Sequence, residues 1–281
     1  MESSVCDRLR TGPYFNEKTM FQTIKTETNK RGVHRITLNR PDVHNAFNAT
    51  MIEELISAFT LAGQDAAVQI IVLQSEGKSF SAGADINWMQ SMVDASQEQN
   101  REDSQVLARL MRTINFCPKP VVARVQGLAL GGGVGLLSCC DIVVASPAAK
   151  FGLTEAKLGL VPAVISPYVV DAIGSRHARH YFLTAELFDS QRAYELGLVS
   201  VLTGEDTLDD AVEKTIARIL RTGPNARAIS KKLVMSVVGR SIPQQKKLDE
   251  YTTQVIAAVR VSPEGQQGLK AFLNKQEPDW K

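Results

Sequence analysis

The sequence predicts an α/β core of strand–helix units followed by a helical C-terminal part. Short β-branched runs alternate with longer segments of helical apolar spacing over residues 21–205. From residue 206 onward the apolar residues follow helical spacing, and neither an internal repeat nor a low-complexity linker divides the chain. We therefore expect a flexible N-terminal arm over 1–20, a core over 21–205 and a helical region over 206–281.

Each element is predicted from its local pattern and its flanking turn residues. The predicted strands are 21–28, 33–38, 69–73, 120–125 and 141–145. The predicted helices of the core are 51–64, 98–116 and one that begins at Ser166-Pro167 and ends at Gly174. The predicted C-terminal helices are 208–222, 225–238, 243–261 and 263–274. Asn48 or Thr50 is expected to cap the first helix, and Ser166 is expected to cap the helix that begins at Ser166-Pro167.

Composition excludes several classes of protein. The chain has 281 residues, 44% hydrophobic and 22% charged, with a net charge of +2, so no broad field favours nucleic acid or an anionic membrane. The four cysteines form no CxxC pair and the four histidines no HExxH motif, so we expect no disulfide, no metal and no cofactor. Without a signal-like or membrane-spanning apolar stretch, a cytoplasmic protein is predicted.

Two turns of small residues follow predicted strands, at 81–85 (SAGAD) and 131–133 (GGG). Glycine lets a ligand approach the main chain closely, and a helix N-terminus presents free N–H groups. Two such donors aimed at one point would hold a developing oxyanion. From the residues alone, a tight packing turn explains the same pattern, because the GGG run is neither a P-loop nor a GxGxxG motif.

Taken together, several ordered segments resemble the enoyl-CoA hydratase/isomerase, or crotonase, superfamily. The segments are 38–48 (LNRPDVHNAFN), 80–89 (FSAGADINWM), 125–146 (VQGLALGGGVGLLSCCDIVVAS) and 149–162 (AKFGLTEAKLGLVP). The resemblance extends from about residue 20 to the C-terminus. It implies a spiral of ββα units, a helical C-terminal region that takes part in trimer assembly, and a homotrimer or a dimer of trimers.

The resemblance also implies site residues. The backbone N–H groups of Ala84 and Gly132 would bind the thioester oxygen of an acyl-CoA, and Glu155 would be the catalytic acid–base. Coenzyme A enters as part of the substrate. Residues implied to bind the substrate or its CoA are Ala82, Ala84, Asp85, Ile86, Gly132, Phe272 and Lys275. The C-terminal Phe272 and Lys275 would contact CoA, often across a subunit boundary, although an ordinary amphipathic helix explains them as well.

One position departs from the two-glutamate hydratases of this superfamily. Where they carry a second carboxylate in the GGGxE segment, this chain has Gly135. Three alternatives remain: Glu155 works alone on water, another residue supplies the missing contact, or the chain is a Δ3,Δ2-enoyl-CoA isomerase that uses Glu155 as a single proton shuttle.

The segment at 165–170 (ISPYVV) favours a particular branch of the superfamily. Together with Gly135, it resembles bacterial 3-methylglutaconyl-CoA and isohexenylglutaconyl-CoA hydratases, which implies a role in leucine or acyclic terpene degradation. Such acyl groups carry a second carboxylate, so the pocket should contain a cation or several N–H donors. Lys157 and the helix start at Ser166 are candidates.

A non-catalytic, RNA-binding protein on the same fold is the alternative from a different class. It rests on a basic C-terminal surface formed by Arg218, Arg221, Lys231, Lys232, Lys246 and Lys247. The small net charge argues against it, because nucleic-acid binders carry a dense basic footprint. We therefore predict no nucleic acid and no membrane among the partners.

Overall fold

The structure, a computed structural model, describes residues 21–204 and 206–280. The predicted arm at 1–20 lies outside the described residues, as does Glu205 at the predicted boundary. The division into three parts therefore stays a prediction.

Two sheets form the centre of the described chain. The strands are β1 (Ile24–Thr28), β2 (Val33–Leu38), β3 (Ile70–Ser75), β4 (Val121–Val125), β5 (Leu128–Leu130), β6 (Ile142–Ala145), β7 (Lys150–Gly152), β8 (Leu187–Asp189) and β9 (Val201–Leu202). The larger sheet has the order β1-β2-β3-β4-β6-β9, and the smaller sheet has the order β5-β7-β8. The hairpin β1–β2 and the pair β7–β8 are antiparallel, and the other neighbours are parallel.

Helices connect the strands and make up the C-terminal part. They are α1 (Ala49–Gln64), α2 (Ile86–Val93), α3 (Gln97–Asn115), α4 (Gly132–Ser138), α5 (Ser166–Thr184), α6 (Ser190–Leu196), α7 (Leu208–Leu220), α8 (Pro224–Val237), α9 (Ile242–Val261) and α10 (Pro263–Leu273). The predicted α/β core followed by helices is confirmed. Asn48 is the cap of α1, since its side chain accepts a hydrogen bond of 2.9 Å from the N–H of Met51.

Both faces of the larger sheet are covered. Ile70 and Val72 of β3 pack with α7, while Ile71 and Leu73 belong to the core that contains α1 and α3. Successive residues of a strand point to opposite faces, so a strand buried on both sides is a continuous apolar run. That is why the run at 69–73 predicts this strand correctly.

The structure corrects two expectations about α5. Its N-cap is Ile165, and Ser166 instead lies in the first turn, where its hydroxyl donates to the carbonyl of Ala163 at 2.7 Å. The chain breaks at Gly174 as expected, with φ 76° and ψ 154°, but helical structure resumes beyond it to Thr184. The break is therefore a kink, because residues 175–184 still bury Ala178 and Tyr181 against the core.

Among the described residues, no helix is long and apolar enough to cross a membrane.

Candidate active site

Three loop segments meet at one edge of the smaller sheet. Strand β5 runs into Gly131 and β7 runs towards Glu155, and these two strands are parallel, with Leu130 opposite Gly152. The N–H of Gly131 donates to the carbonyl of Gly152 at 2.9 Å, so the register holds to the end of both strands. Ser81 adds the third segment through a parallel bridge to Ala129. Since parallel strands end at the same edge, residues 81–84, 131–132 and 153–155 are brought together.

Ala84 offers a main-chain N–H that the fold leaves without a partner. The N–H of Phe47 donates to the carbonyl of Gly83 at 2.7 Å, and the N–H of Asp85 donates to the carbonyl of Phe47 at 2.8 Å. In this parallel bridge the residues on both sides of Ala84 bond to Phe47, so the Ala84 N–H points away from it. Within the described part of the chain, that N–H makes no hydrogen bond.

Gly132 offers the second free N–H, as the first residue of α4. The first N–H groups of a helix have no intrahelical acceptor. Among the described residues, no other acceptor bonds the Gly132 N–H. Only glycine suits this position, because a Cβ would lie 2.6 Å from the Phe47 ring. The segment that carries the Ala84 N–H passes close to Gly132, since a Cβ built on Gly83 would lie 4.0 Å from the Gly132 nitrogen.

Glu155 places a buried carboxyl beside this pair of donors. A Cβ built on Gly131 would lie 3.0 Å from Glu155 Oε1, so the carboxyl faces the glycine turn. Its Oε2 atom is buried and accepts no hydrogen bond from the described residues. Burial raises the pKa of Glu155 from 4.5 to about 7, and its own backbone N–H only partly offsets this. A carboxyl with such a pKa can both accept and donate a proton near neutral pH.

A largely apolar cavity of about 380 Å³ contains these groups. Its apolar wall includes Trp88, Met89, Met92, Leu107, Val164, Ile165, Ile256 and Leu269. Of the residues predicted for the site, Ala82, Ala84, Gly132, Glu155 and Phe272 line it. The structure therefore brings the predicted oxyanion donors and the predicted acid–base into one cavity.

Three predicted CoA-binding residues lie outside the lining of this cavity, and their contact with CoA stays a prediction. Asp85 is 5% exposed, caps α2 and accepts a hydrogen bond of 2.8 Å from Arg40. Burial opposes ionisation of Asp85, but hydrogen bonds from Arg40 and from backbone N–H groups lower its pKa overall. Ile86 and Lys275 are exposed.

The place of the missing second carboxylate is occupied. A Cβ built on Gly135 would overlap Ile165 Cγ2, would lie 2.9 Å from Ile165 Cβ and would lie 3.3 Å from Met111 Cε. Ile165 thus fills the space into which a side chain at position 135 would project. In sequence the two residues are unrelated, but in the structure Gly135 and Ile165 form one apolar contact.

The C-terminal helix α10 covers the site of its own chain. It packs against α2 and against the 3-10 turn Glu155–Leu158. The approach is close, since a Cβ built on Gly159 would lie 2.6 Å from the Glu264 carbonyl oxygen. Phe272 accordingly lines the cavity of the chain it belongs to, although the sequence left open a contact across a subunit boundary.

Sequence reasoning missed several lining residues. Trp88 and Met89 lie on α2, a helix of only eight residues whose N-cap, Asp85, belongs to the motif itself. Arg260 lies in the last turn of α9 and carries no motif of its own. A cap residue followed by apolar spacing could have predicted α2, whereas only the packing of α9 against α3 places Arg260 in the cavity.

Among residues 21–204 and 206–280, no three His, Cys, Asp or Glu side chains are grouped so that they could hold a metal ion. That the protein uses no cofactor stays a prediction.

Comparison with known proteins agrees with the geometry. Residues 28–281 match the family model described as enoyl-CoA hydratase/isomerase. A 2,3-dehydroadipyl-CoA hydratase from Escherichia coli is 32% identical, covering 88% of this chain and 94% of its own length. A trans-2-decenoyl-[acyl-carrier-protein] isomerase from Streptococcus mutans is 28% identical, over 88% of this chain and 94% of its own length. An enoyl-CoA hydratase from Shewanella pealeana, known from a crystal structure, is 43% identical in sequence over 92% of this chain and 96% of its own. Its structure superimposes with a TM-score of 0.76. The crotonase fold that the motifs imply is thus confirmed, and the chain belongs to the enoyl-CoA hydratase/isomerase family.

Proposed function

We propose that the protein is a hydratase that adds water across the α,β double bond of an enoyl-CoA thioester. The observation that carries this proposal is the carboxyl of Glu155, whose buried Oε2 atom has no hydrogen-bond partner among the described residues, in the same cavity as the N–H groups of Ala84 and Gly132. The reaction needs a proton carrier and a place for negative charge, and this cavity supplies both.

The proposed chemistry follows from those two elements. Glu155 takes a proton from water as the water oxygen bonds to the β-carbon of the substrate. The electron pair of the double bond moves to the α-carbon and onto the thioester oxygen, where the two N–H groups stabilise the enolate. Glu155 then gives the proton that it took from water to the α-carbon, so that the carboxylate is restored and the double bond is lost. Because the donors are fixed by the fold, they stabilise the enolate more than the uncharged ground state.

We further propose that the acyl group is a branched glutaconyl group of the 3-methylglutaconyl or isohexenylglutaconyl type. Gly135 and the segment 165–170, which resemble that branch in sequence, support this. One relative is named as a 2,3-dehydroadipyl-CoA hydratase, and a dehydroadipyl group carries a far carboxylate, which supports an acyl group of this kind. We propose that Ala82 and Phe272, which line the cavity, and Asp85, Ile86 and Lys275 beside it contact the CoA portion.

A Δ3,Δ2-enoyl-CoA isomerase is the second candidate, and one observation favours it. Ile165 occupies the space where a second carboxylate would help to hold water. A single base that moves a proton between the α- and γ-carbons needs no water.

Turnover of a panel of enoyl-CoA thioesters distinguishes the candidates. A hydratase removes the absorbance of the conjugated enoyl thioester and forms a hydroxyacyl product, whereas an isomerase moves the double bond and adds nothing. Glu155→Gln should lower kcat by at least ~100-fold, because the amide cannot accept the proton. Glu195→Gln, a half-exposed glutamate on α6, is the matched control and should leave turnover unchanged. Turnover retained by Glu155→Gln would remove the assignment.

We propose that the protein assembles as a homotrimer or a dimer of trimers. Helix α8 buries none of its residues within the chain, and it exposes the large apolar side chains of Ile229, Leu233, Val234 and Val237. A patch of this kind indicates an interface between proteins. Light scattering should show a loss of oligomers for Val237→Asp but not for Gln191→Asp on the exposed side of α6. A monomeric wild type would refute the assembly. The cytoplasmic location stays a prediction.

A further inference from the structure

Arg260 is a cation in the lining of the cavity that contains Glu155. The only other cation among the described lining residues is Lys157, which is exposed. The Arg260 side chain is 12% exposed, so its guanidinium lies largely within the protein. A largely buried cation must be paired or hydrogen-bonded.

One corner of the guanidinium is fixed by helix α3. Arg260 Nη1 lies 3.2 Å from Asp103 Oδ2, 3.3 Å from Asn100 Oδ1 and 3.3 Å from Ser104 Oγ. The indole N–H of Trp88 donates to Asp103 Oδ1 at 3.0 Å, so the ring and the guanidinium share that carboxylate. These contacts orient the guanidinium plane and hold its position against α2 and α3.

The opposite edge of the guanidinium is free. In the described part of the chain, Nε and Nη2 of Arg260 make no hydrogen bond and no ion pair. They are also not sealed from solvent, because neither is among the buried polar atoms without a partner. The N–H groups on this edge are parallel, and this spacing matches the two oxygens of a carboxylate.

The geometry points to Arg260 as the anchor for a second carboxylate at the far end of the acyl group, so that the substrate class is a dicarboxylic acid monothioester. The inference rests on the proposed function, since it concerns the acyl pocket of that same site. Asp103 contacts only Nη1 of Arg260, which leaves the N–H groups of the other edge for a second anion. A bidentate contact at the free edge would fix the acyl chain between Glu155 and Arg260.

Arg260 fulfils this role better than the two residues that the sequence suggested. Ser166 uses its hydroxyl to donate to Ala163 and does not line the cavity. Lys157 lines the cavity but is exposed, so water screens its charge. A largely buried guanidinium discriminates more strongly between a charged and an uncharged acyl end.

The test compares a dicarboxylic with a neutral substrate of the same branching, 3-methylglutaconyl-CoA and 3-methylcrotonyl-CoA. Arg260→Met should lower kcat/KM for the dicarboxylic thioester by roughly 100-fold and that for the neutral one by less than ~3-fold. Arg260→Lys, which keeps the charge without the parallel N–H pair, should give an intermediate loss on the dicarboxylic thioester alone. Equal losses on both substrates in the two variants would show that Arg260 only connects α3 and α9, and would overturn the inference.

Binding of unreactive thioesters keeps this inference separate from the proposed reaction. Calorimetry of the wild-type protein should show tighter binding of glutaryl-CoA than of butyryl-CoA, and Arg260→Met should abolish that preference. If the wild type hydrates none of the panel but keeps this preference, the hydratase proposal fails and the anchor stands. If the wild type hydrates neutral thioesters and binds both probes equally, the proposed role of Arg260 fails while the hydratase proposal stands. Weaker binding of free CoA by Arg260→Met would show that Arg260 meets a phosphate of CoA, and would also overturn the inference.

Discussion

Replacing Glu155 with glutamine should lower kcat by at least ~100-fold and, at alkaline pH, make the protein more stable than the wild type. The carboxyl lies beside the glycine turn with Oε2 buried and without a partner among the described residues. Ionising such a group within the fold is costly, since its own backbone N–H only partly replaces the lost water. Glutamine has nearly the same shape and never ionises, so the variant avoids that cost.

The magnitude follows from the pKa. Burial raises the pKa of Glu155 from 4.5 to about 7 in the folded protein. Between these values the folded state keeps the proton that the unfolded state has lost, so the free energy of unfolding falls as pH rises. Above about pH 7 both states are ionised and the penalty is constant. From pH 5 to 8.5 the wild type should therefore lose roughly 2.5 kcal/mol that the glutamine variant keeps, at about 1.4 kcal/mol per pKa unit.

Urea unfolding of both proteins at pH 5 and at pH 8.5, at one protein concentration, measures this difference. The stability of Glu155→Gln relative to wild type should rise by roughly 2.5 kcal/mol between the two pH values. Glu195→Gln, half-exposed on α6, is the control and should show no such rise. A difference between Glu155→Gln and wild type that is the same at both pH values would refute the reasoning, because it would mean that the carboxyl is solvated in the folded protein.

Three further predictions concern the same cavity. The kcat/KM for hydration should rise with pH and level off above an apparent pKa of about 7, as Glu155 ionises; a flat profile would contradict its role as the base. Gly132→Ala should lower kcat by roughly 100-fold by pushing the main chain away from the Phe47 ring, and adding Phe47→Leu should recover part of it, whereas equal rates in the single and double variants would refute the steric cause. Gly135→Glu should lower the melting temperature because its side chain overlaps Ile165, and adding Ile165→Gly should recover part of the loss by removing that overlap; an unchanged melting temperature in the single variant would show that Ile165 moves aside at no cost.

Much of the fold could be predicted because its signals are local. The run at 69–73 is apolar throughout because both faces of that strand are covered, and Asn48 precedes α1 because its side chain satisfies a free N–H. The strands β5, β7 and β8 were missed, since each has only three residues and no period can be recognised over that length. These short strands are nevertheless what brings the loops of the site together.

The site could be predicted only in part, for a related reason. The glycine turn and Glu155 belong to motifs, so their sequence context identifies them. Arg260 belongs to none, and it reaches the cavity because α9 packs against α3 at Asn100 and Asp103. Whether an arginine on a helix faces water or a pocket depends on which helix covers it, and this information is not local.

The contact between Gly135 and Ile165 shows how two separate sequence features can be one structural feature. In the sequence, glycine at 135 looks like the loss of a catalytic group, and isoleucine at 165 belongs to a segment that resembles one branch of the superfamily. In the structure each explains the other, because the isoleucine side chain occupies the space that any Cβ at 135 would need. A carboxylate could return at 135 only if the residue at 165 became small. The apolar wall beside Glu155 therefore depends on both positions, and they would have to change together to convert this site into one with two glutamates.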